Sequence, residues 1–172
     1  MSTEITMNRK ARTFFSDEPI LHVPSKTIFL AGPTSRDNDY DKSWRKEMVE
    51  LINAAGFDGT ICIPEFRDKR PFTVNDWGTQ VKWEWTLLDA ASCILFWVPR
   101  SMPETPGLTT NLEFGTYLQK KPCQVILSYP EEAAAMEWMT LKYKEVTARE
   151  PSHNMVDAVA EAIEIANKFG RK

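Results

Sequence analysis

The chain has 172 residues, 42% of them hydrophobic, which predicts one domain over residues 1–172 with a core that buries about 70% of the unfolded surface. The formal net charge of −3, without a long basic run, argues against nucleic acid and anionic membranes as partners. No apolar run reaches the roughly 18 residues of a membrane span and no hydrophobic signal segment opens the chain, so we expect a cytoplasmic protein.

The N-terminal part predicts an arm followed by the first buried strand. Residues 1–25 show no clear periodicity, and we expect an N-terminal arm or hairpin there. Residues 27–31 form a continuous apolar run that ends at Gly32 and Pro33. Such a run before a Gly-Pro pair predicts a buried parallel strand followed by a turn.

The next segment predicts a helix, a strand and a long loop. Residues 43–55 have a helical apolar period that ends at Gly56, a suitable C-terminal cap. Residues 60–63 form the second strand, and residues 67–79 are polar with Pro and Gly, which predicts a long functional loop. The apolar face of the helix is predicted to comprise Trp44, Met48, Leu51 and Ala55.

Strand and helix continue to alternate in the middle of the chain. Residues 80–91 are predicted to be helical and residues 93–98 to form the third strand. A loop with three prolines and a glycine covers residues 99–109, and a helix follows over residues 111–119. A loop that joins a parallel strand to a helix is the usual ligand side of an open α/β sheet.

The C-terminal part completes an α/β architecture. Residues 124–128 predict the fourth strand, residues 131–146 a helix, and Ser152 the cap of a last helix. A fifth strand is placed only loosely, around residues 143–148. We therefore expect a flavodoxin-like three-layer sandwich with a central parallel sheet of four or five strands. The inner face of the last helix is predicted to comprise Met155, Val159, Ala162 or Ile163, and Ala166.

Cysteines and histidines give little support for metal or redox chemistry. Cys62, Cys93 and Cys123 fall in predicted buried strands without CxxC spacing, which is typical of core thiols in a reducing compartment. His22 lies in the N-terminal arm and His153 at a helix start, away from the ligand ends of the strands. We therefore predict neither a metal site nor a redox cofactor.

Two glutamates are the candidates for catalysis. Glu84 falls on the Val81–Leu88 side of its predicted helix, and an inward glutamate must be paired, desolvated or functional. The alternative is a rim glutamate whose head reaches water. Glu113 follows the Pro-rich loop at a helix start, but Thr110 and Glu113 also spell a T-x-x-E capping box. Both interpretations of each glutamate stay open from the residues alone.

Polar and aromatic residues near the strand ends are candidate substrate contacts. The turn over Gly32, Pro33, Thr34, Ser35 and Arg36 offers hydroxyls, N–H groups and a guanidinium to a phosphate or a sugar, although a plain turn is equally compatible. Arg45 on the following helix is expected to be solvated or ion-paired. Trp83 and Trp85 are expected to belong to the core or to wall a pocket for a flat ring.

Six short segments in this order resemble the nucleoside 2-deoxyribosyltransferase-like family, over about residues 26–130. The resemblance implies that Glu113, in a Glu-Phe-Gly segment, is a nucleophile at an anomeric carbon, and that Glu84 is an acid that handles the base or its proton. The segments are Ile28-Phe29-Leu30-Ala31-Gly32-Pro33-Thr34, Ser43-Trp44-Arg45, Ile63-Pro64-Glu65, Trp83-Glu84, Phe96-Trp97-Val98-Pro99-Arg100 and Thr109-Thr110-Asn111-Leu112-Glu113-Phe114-Gly115.

The resemblance implies base exchange on a nucleoside or deoxynucleoside through a covalent glycosyl-glutamate, with no metal or other cofactor. The expected partners are a nucleoside or nucleotide, a free base and further copies of the chain in a homo-oligomer. Thr110, Asn111 and the turn after the first strand would hold the sugar or its phosphate, and Phe66 or Trp83 would contact the base. The alternatives are an N-glycosidase of nucleoside 5′-monophosphates and a non-catalytic nucleotide-binding protein.

Overall fold

The computed structural model describes residues 10–35 and 38–170, and its centre is a five-stranded parallel sheet. The strand order across the sheet is β1-β3-β2-β4-β5. The strands are β1 (Arg12–Phe15), β2 (Thr27–Ala31), β3 (Thr60–Ile63), β4 (Cys93–Trp97) and β5 (Val125–Ser128). The helices are α1 (Trp44–Ala54), α2 (Val74–Ala90), α3 (Leu108–Lys120), α4 (Glu137–Thr147) and α5 (Met155–Phe169), with short 3-10 turns at Tyr40–Lys42 and Pro122–Gln124.

Helices cover both faces of the sheet, so the predicted flavodoxin-like three-layer α/β sandwich is confirmed. On one face, α2, α3 and α4 pack against the sheet through residues such as Leu88, Phe114 and Tyr143. On the other face, α1 and α5 do so through residues such as Ile52 and Ala162. All strand residues of β2 to β5 are buried, as the continuous apolar runs in the sequence predicted.

The fifth strand is β1, at the sheet edge, and the loose placement of a strand at residues 143–148 was wrong. Residues 143–147 belong to α4, and Ala148 ends that helix in a left-handed conformation. β1 pairs in parallel with β3, with Phe14 opposite Cys62 and Phe15 opposite Ile63. Parallel pairing also means that β1 is not part of a hairpin within the described residues.

Helix α2 begins at Val74, so the predicted loop over residues 67–79 ends at Thr73. Thr73 and Asp76 form a capping box, in which the Asp76 carboxylate accepts a hydrogen bond of 2.8 Å from the Thr73 backbone N–H. This box starts the helix in spite of Gly78, which weakened the helical pattern in the sequence. The early start gives α2 17 residues and lets it carry Gln80 and Glu84 on successive turns.

Three smaller predictions were also wrong. Asn154, not Ser152, caps α5, because the Asn154 side chain accepts from the Asp157 N–H. Cys123 is exposed in a 3-10 turn, whereas Cys62 and Cys93 are core thiols whose pKa burial raises. Helix α4 begins at Glu137 rather than near residue 131. None of these changes alters the sheet.

The inner face of α1 differs from the predicted one because it contains a charged residue. The buried positions are Arg45, Met48, Val49 and Ile52, at i, i+3, i+4 and i+7, whereas Trp44 and Leu51 are only partly buried and Ala55 is exposed. Because the buried face includes position 45, the Arg45 side chain lies under the end of β2. Among the described residues, no helix combines the length and the apolar composition needed to cross a bilayer.

Candidate active site

The carboxyl ends of β2 and β4 lie side by side in the sheet. From this point the chain continues to β3 on one side and to β5 on the other, and such a point is the usual ligand-binding edge of a parallel sheet. Gly32 follows β2 there with a φ of 146°. A Cβ atom on Gly32 would lie 2.0 Å from the Trp97 carbonyl oxygen and 2.9 Å from the Trp44 ring. Only glycine therefore allows the turn after β2 to approach β4 this closely.

Glu113 lies within α3 rather than at its cap. The helix begins at Leu108, and its N-cap is Gly107 in the left-handed conformation with a φ of 62°. Thr110 is consequently buried inside the first turn, and the capping-box interpretation of Thr110 and Glu113 is wrong. Within the described part of the chain, no side chain or backbone group hydrogen-bonds the half-buried Glu113 carboxylate. That side chain is therefore not folded back onto its own helix.

Glu84 is also half-buried and is held by a neighbour on its own helix. The Gln80 Nε2 donates to Glu84 Oε1 at 2.8 Å and to the Pro64 carbonyl oxygen at 3.2 Å. The Gln80 Oε1 in turn lies 3.5 Å from the Ser16 hydroxyl. Gln80 thus joins Glu84 to the ends of β1 and β3, and sequence reasoning missed it because an amide one turn away from an acid has no motif.

The two glutamates oppose each other's charge. Burial, and then the negative charge of Glu84, raise the pKa of Glu113 to about 8, while the Arg45 charge acts in the other direction. Burial also raises the pKa of Glu84, against the hydrogen bond from Gln80 and the Arg45 charge. With a pKa of about 8, Glu113 holds its proton near neutral pH in the free protein.

Arg45 is the cation whose charge acts on both glutamates, and it is completely buried under the turn after β2. Its guanidinium forms an ion pair with Glu65 and donates to the Leu30 carbonyl at 3.0 Å and to the Gly32 carbonyl at 2.7 Å. The Ser43 hydroxyl also donates to Glu65, at 2.6 Å. Arg45 is thus ion-paired, one of the two expected states. Its role was missed, although its spacing with Met48, Val49 and Ile52 is a sequence signal for an inward side chain.

The predicted sugar or phosphate contacts are partly assembled around this edge. Pro33 is buried, whereas Thr34 and Ser35 are exposed, and the Thr34 hydroxyl accepts from Arg45 Nη1 at 3.0 Å. Arg36 lies outside the described residues. On α3, Thr110 is buried one turn before Glu113, and Asn111 is exposed with its Oδ1 accepting from Arg100 Nη2.

The predicted base contacts line a separate cleft of about 400 Å³ between residues 16–20 and α2. Neither Glu84 nor Glu113 lines this cleft, although Gln80 does. Phe66 is stacked on Phe72, with the Arg70 guanidinium 3.7 Å from the centre of its ring. Trp83 packs against core aromatic rings, and Trp85 is 61% exposed. The structure therefore places the Phe66 and Trp83 rings against protein partners.

Residues 25–131 match a family model described as nucleoside 2-deoxyribosyltransferase like, which covers more than half of the chain. The matched segment runs from β2 to β5 and contains Glu84, Glu113, Arg45 and Glu65. It leaves out β1 and the two C-terminal helices. No curated protein sequence shows a significant match to this chain.

Proposed function

The chain belongs to the nucleoside 2-deoxyribosyltransferase-like family, and on that premise we propose that it exchanges the base of a nucleoside or deoxynucleoside through a covalent ester on Glu113. The observation that carries this proposal is the pair of half-buried acids on α2 and α3, in which burial raises the pKa of both and the negative charge of Glu84 raises that of Glu113 further. A cap or a solvated surface acid needs no such partner. Two acids with different surroundings are what nucleophilic attack with proton transfer requires.

In the first step, a carboxylate oxygen of Glu113 attacks C1′ of the sugar. The C1′–N bond breaks, its electron pair passes to the departing base, and the transition state resembles an oxocarbenium ion. For this attack, the proton that Glu113 holds in the free protein must first pass to Glu84, which then donates it to the base nitrogen. Glu84 Oε1 already accepts from Gln80, so the second oxygen of Glu84 is the one that carries the proton.

In the second step, a nitrogen of an incoming base attacks C1′ of the ester. The C1′–O bond breaks, Glu113 leaves as a carboxylate, and Glu84 takes up the proton that the incoming base loses. Water in place of the base would give the free sugar, which is the hydrolytic alternative. The same two side chains support either outcome, so the acceptor that reaches C1′ decides between them.

Arg45 and Gln80 act as positioning residues in this proposal. Arg45 binds the Leu30 carbonyl in β2 and the Gly32 carbonyl and Thr34 hydroxyl in the turn after it, and its charge favours the ionised form of both glutamates. Gln80 fixes the Glu84 carboxyl. We propose that Gly32, Pro33, Thr34, Ser35, Thr110 and Asn111 surround the sugar, and that Phe66 and Trp83 shape the side from which the base enters.

Incubation with a deoxynucleoside, with and without an acceptor base, tests the proposal. A new nucleoside that forms only with the acceptor supports transfer, whereas free sugar in both reactions indicates a hydrolase. Glu113→Gln should abolish either activity. Wild-type protein that is denatured during turnover should carry the mass of one sugar on Glu113. Binding without turnover by the wild-type protein would contradict the proposed function.

We also propose a reducing, cytoplasmic compartment for this protein. We further propose that it forms a homo-oligomer, because the helices that carry the acids expose large apolar side chains. Trp77 and Trp85 on α2 and Leu108 and Leu112 on α3 are all more than half exposed. The two helices lie in the same layer, where the Tyr117 hydroxyl of α3 donates to Asp89 of α2 at 2.9 Å. Exposed apolar area of this kind is typical of an interface. A second copy on it would shield the acids from water.

A further inference from the structure

Arg100 is a buried cation at the start of the loop that follows β4, and it is 6% exposed. Its Nη1 donates to the Ala135 carbonyl oxygen at 3.0 Å. Its Nη2 donates to Asn111 Oδ1 and lies 3.5 Å from the Met139 sulfur. All of these partners are neutral. The positive charge therefore has no direct counter-ion among the described residues.

Other arginines in this chain show what Arg100 lacks. The buried Arg45 pairs with Glu65, and the half-buried Arg149 pairs with Glu161 at 2.6 Å. For Arg100, burial is the one cause that shifts its pKa, and it shifts it downward, with no acid acting against it. In addition, the Arg100 Nε is buried without a hydrogen-bond partner among the described atoms. A buried charge with an unused donor is costly unless a ligand completes it.

A cleft of about 350 Å³ that Arg100 helps to line lies at the carboxyl ends of β4 and β5. Arg100, Ser101 and Met102 line it from the β4 side, and Pro130, Glu132 and Ala133 line it from the β5 side. This volume is large enough for a phosphate group with part of a larger molecule attached. Glu132 is the one acid in the lining, and it is exposed.

We propose that this cleft is an oxyanion site, in which Arg100 binds a phosphate group through its Nε–H and its charge. A phosphate oxygen accepts the unused hydrogen bond, and its negative charge compensates the buried guanidinium. The Ser101 hydroxyl, which now donates to the exposed Glu104, is a further donor at the same wall. The group is either inorganic phosphate or the 5′-phosphate of a nucleotide, and only the second source rests on the proposed function.

Titration of the protein with inorganic phosphate, at an ionic strength kept constant with chloride, tests the site directly. We expect saturable binding by calorimetry, weakened roughly 10- to 100-fold in Arg100→Met through the loss of a charged hydrogen bond. Arg67→Met removes one positive charge from an exposed arginine that pairs with Glu18, outside the cleft, and is the matched control. It should bind phosphate like the wild type.

A second variant keeps the test valid if Arg100→Met does not fold. Ala133→Asp places a carboxylate in the same cleft and leaves Arg100 unchanged. This carboxylate should pair with Arg100 and weaken phosphate binding at least tenfold. The Arg100 charge has no counter-ion, so its removal also removes the cost of burying it. In phosphate-free buffer, Arg100→Met should therefore unfold at the same temperature as the wild type or at a higher one. A merely structural arginine would give the opposite shift.

The two sources of phosphate are separated with Glu113→Gln protein, which binds without turnover. If the phosphate belongs to the substrate, a nucleoside 5′-monophosphate binds at least tenfold more tightly than its nucleoside, and Arg100→Met removes the difference. If free phosphate is the ligand, the nucleoside and its 5′-monophosphate bind equally, and inorganic phosphate binds together with the nucleoside. Equal phosphate binding by wild type, Arg100→Met and Ala133→Asp, or no binding of either phosphate, would overturn the site. Because each readout is binding, a failure of glycosyl transfer leaves the result unaffected.

Discussion

Among single residues, Glu113 makes the protein less stable when it is ionised, and this gives a first prediction. Its pKa is raised from 4.5 to about 8, so the folded protein binds the proton more tightly than the unfolded chain does. Stability is therefore full below pH 4.5 and falls as the pH rises towards 8. Glu113→Gln, which cannot ionise, should raise the free energy of unfolding by about 1–2 kcal/mol at pH 8.5, after allowance for solvent screening.

Denaturant unfolding of both proteins at pH 4.5 and pH 8.5 measures this effect. At the lower pH the two free energies of unfolding should agree within about 0.5 kcal/mol, since Glu113 is then protonated in the folded protein and is as neutral as the glutamine of the variant. A Glu113→Gln variant that is less stable at the higher pH would show that the carboxylate is ionised and well solvated. Loss of activity together with a gain in stability is typical of a side chain kept for function.

Glu84 gives a second prediction, which concerns the pH dependence of catalysis. The proposed reaction requires one proton on the pair of acids, so kcat/KM should be bell-shaped, with an alkaline limb near the Glu113 pKa of about 8. Glu84→Gln should lower kcat by about 10²–10⁴-fold for a base that leaves with a proton, because the acid is lost. The loss should be much smaller for a leaving group that needs no proton.

The matched control for Glu84 is Asp89→Asn on the same helix. Asp89 is about half exposed and pairs with Lys120, so the amide should leave the pH profile unchanged. In Glu84→Gln the alkaline limb near pH 8 should be lost, because the variant has no second acid that must stay protonated and Glu113 no longer ionises beside a negative charge. An equal loss of activity with both kinds of leaving group would contradict the role of Glu84 as the acid.

Among the structural elements, the contact between α1 and the ends of β2 and β3 depends on the buried pair of Arg45 and Glu65. Glu65→Gln should lower the free energy of unfolding by about 3–5 kcal/mol, because it leaves a buried guanidinium without a counter-ion. Arg45→Met combined with Glu65→Met should recover most of that loss, since an apolar pair of similar size removes both charges. Denaturant unfolding of the two variants measures the difference.

The exposed pair of Lys142 and Glu145 is the control for this comparison. The two side chains lie one turn apart on α4 at 2.8 Å, and Glu145→Gln should cost less than about 1 kcal/mol. If Glu65→Gln cost as little as this surface change, then water would reach the Arg45 guanidinium. The turn from Gly32 to Thr34 would then need another anchor.

Regular elements with a strong local signal could be predicted, and those that depend on tertiary contacts could not. Continuous apolar runs gave β2, β3 and β4 within a residue of their observed ends. β1 has four residues, of which Arg12 is exposed, and only its parallel pairing with β3 makes it a strand. The start of α3 was misplaced because a capping-box pattern was present in the sequence, while the left-handed Gly107 that begins the helix has no comparable pattern.

The chemistry-bearing side chains show the same division. Glu84 and Glu113 could be selected from helix periodicity and from the family resemblance, because both signals are local in the chain. Arg45, Glu65 and Gln80 could not be assembled around them, since three different elements bring these side chains together. The missing counter-ion of Arg100 is likewise a property of the packed chain, and no sequence pattern states it.

For the whole molecule, the exposed apolar side chains of α2 and α3 predict self-association through this layer. Trp85 and Leu112 have 61% and 73% of their surface exposed, on the helices that also carry Glu84 and Glu113. Trp85→Ser combined with Leu112→Ser should convert the proposed oligomer to a monomer, because central aromatic and aliphatic anchors dominate interface energies. Sedimentation equilibrium at micromolar concentrations measures the mass.

The control is Val156→Ser on α5, which removes an exposed apolar side chain from the opposite layer and should leave the mass unchanged. If the interface also excludes water from the two acids, the monomeric variant should show a lower Glu113 pKa, because solvation favours the carboxylate. The alkaline limb of its pH–rate profile would then move below pH 8. A wild-type protein that sediments as a monomer would refute the oligomer, and it would leave Glu113 with the pKa that its own chain sets.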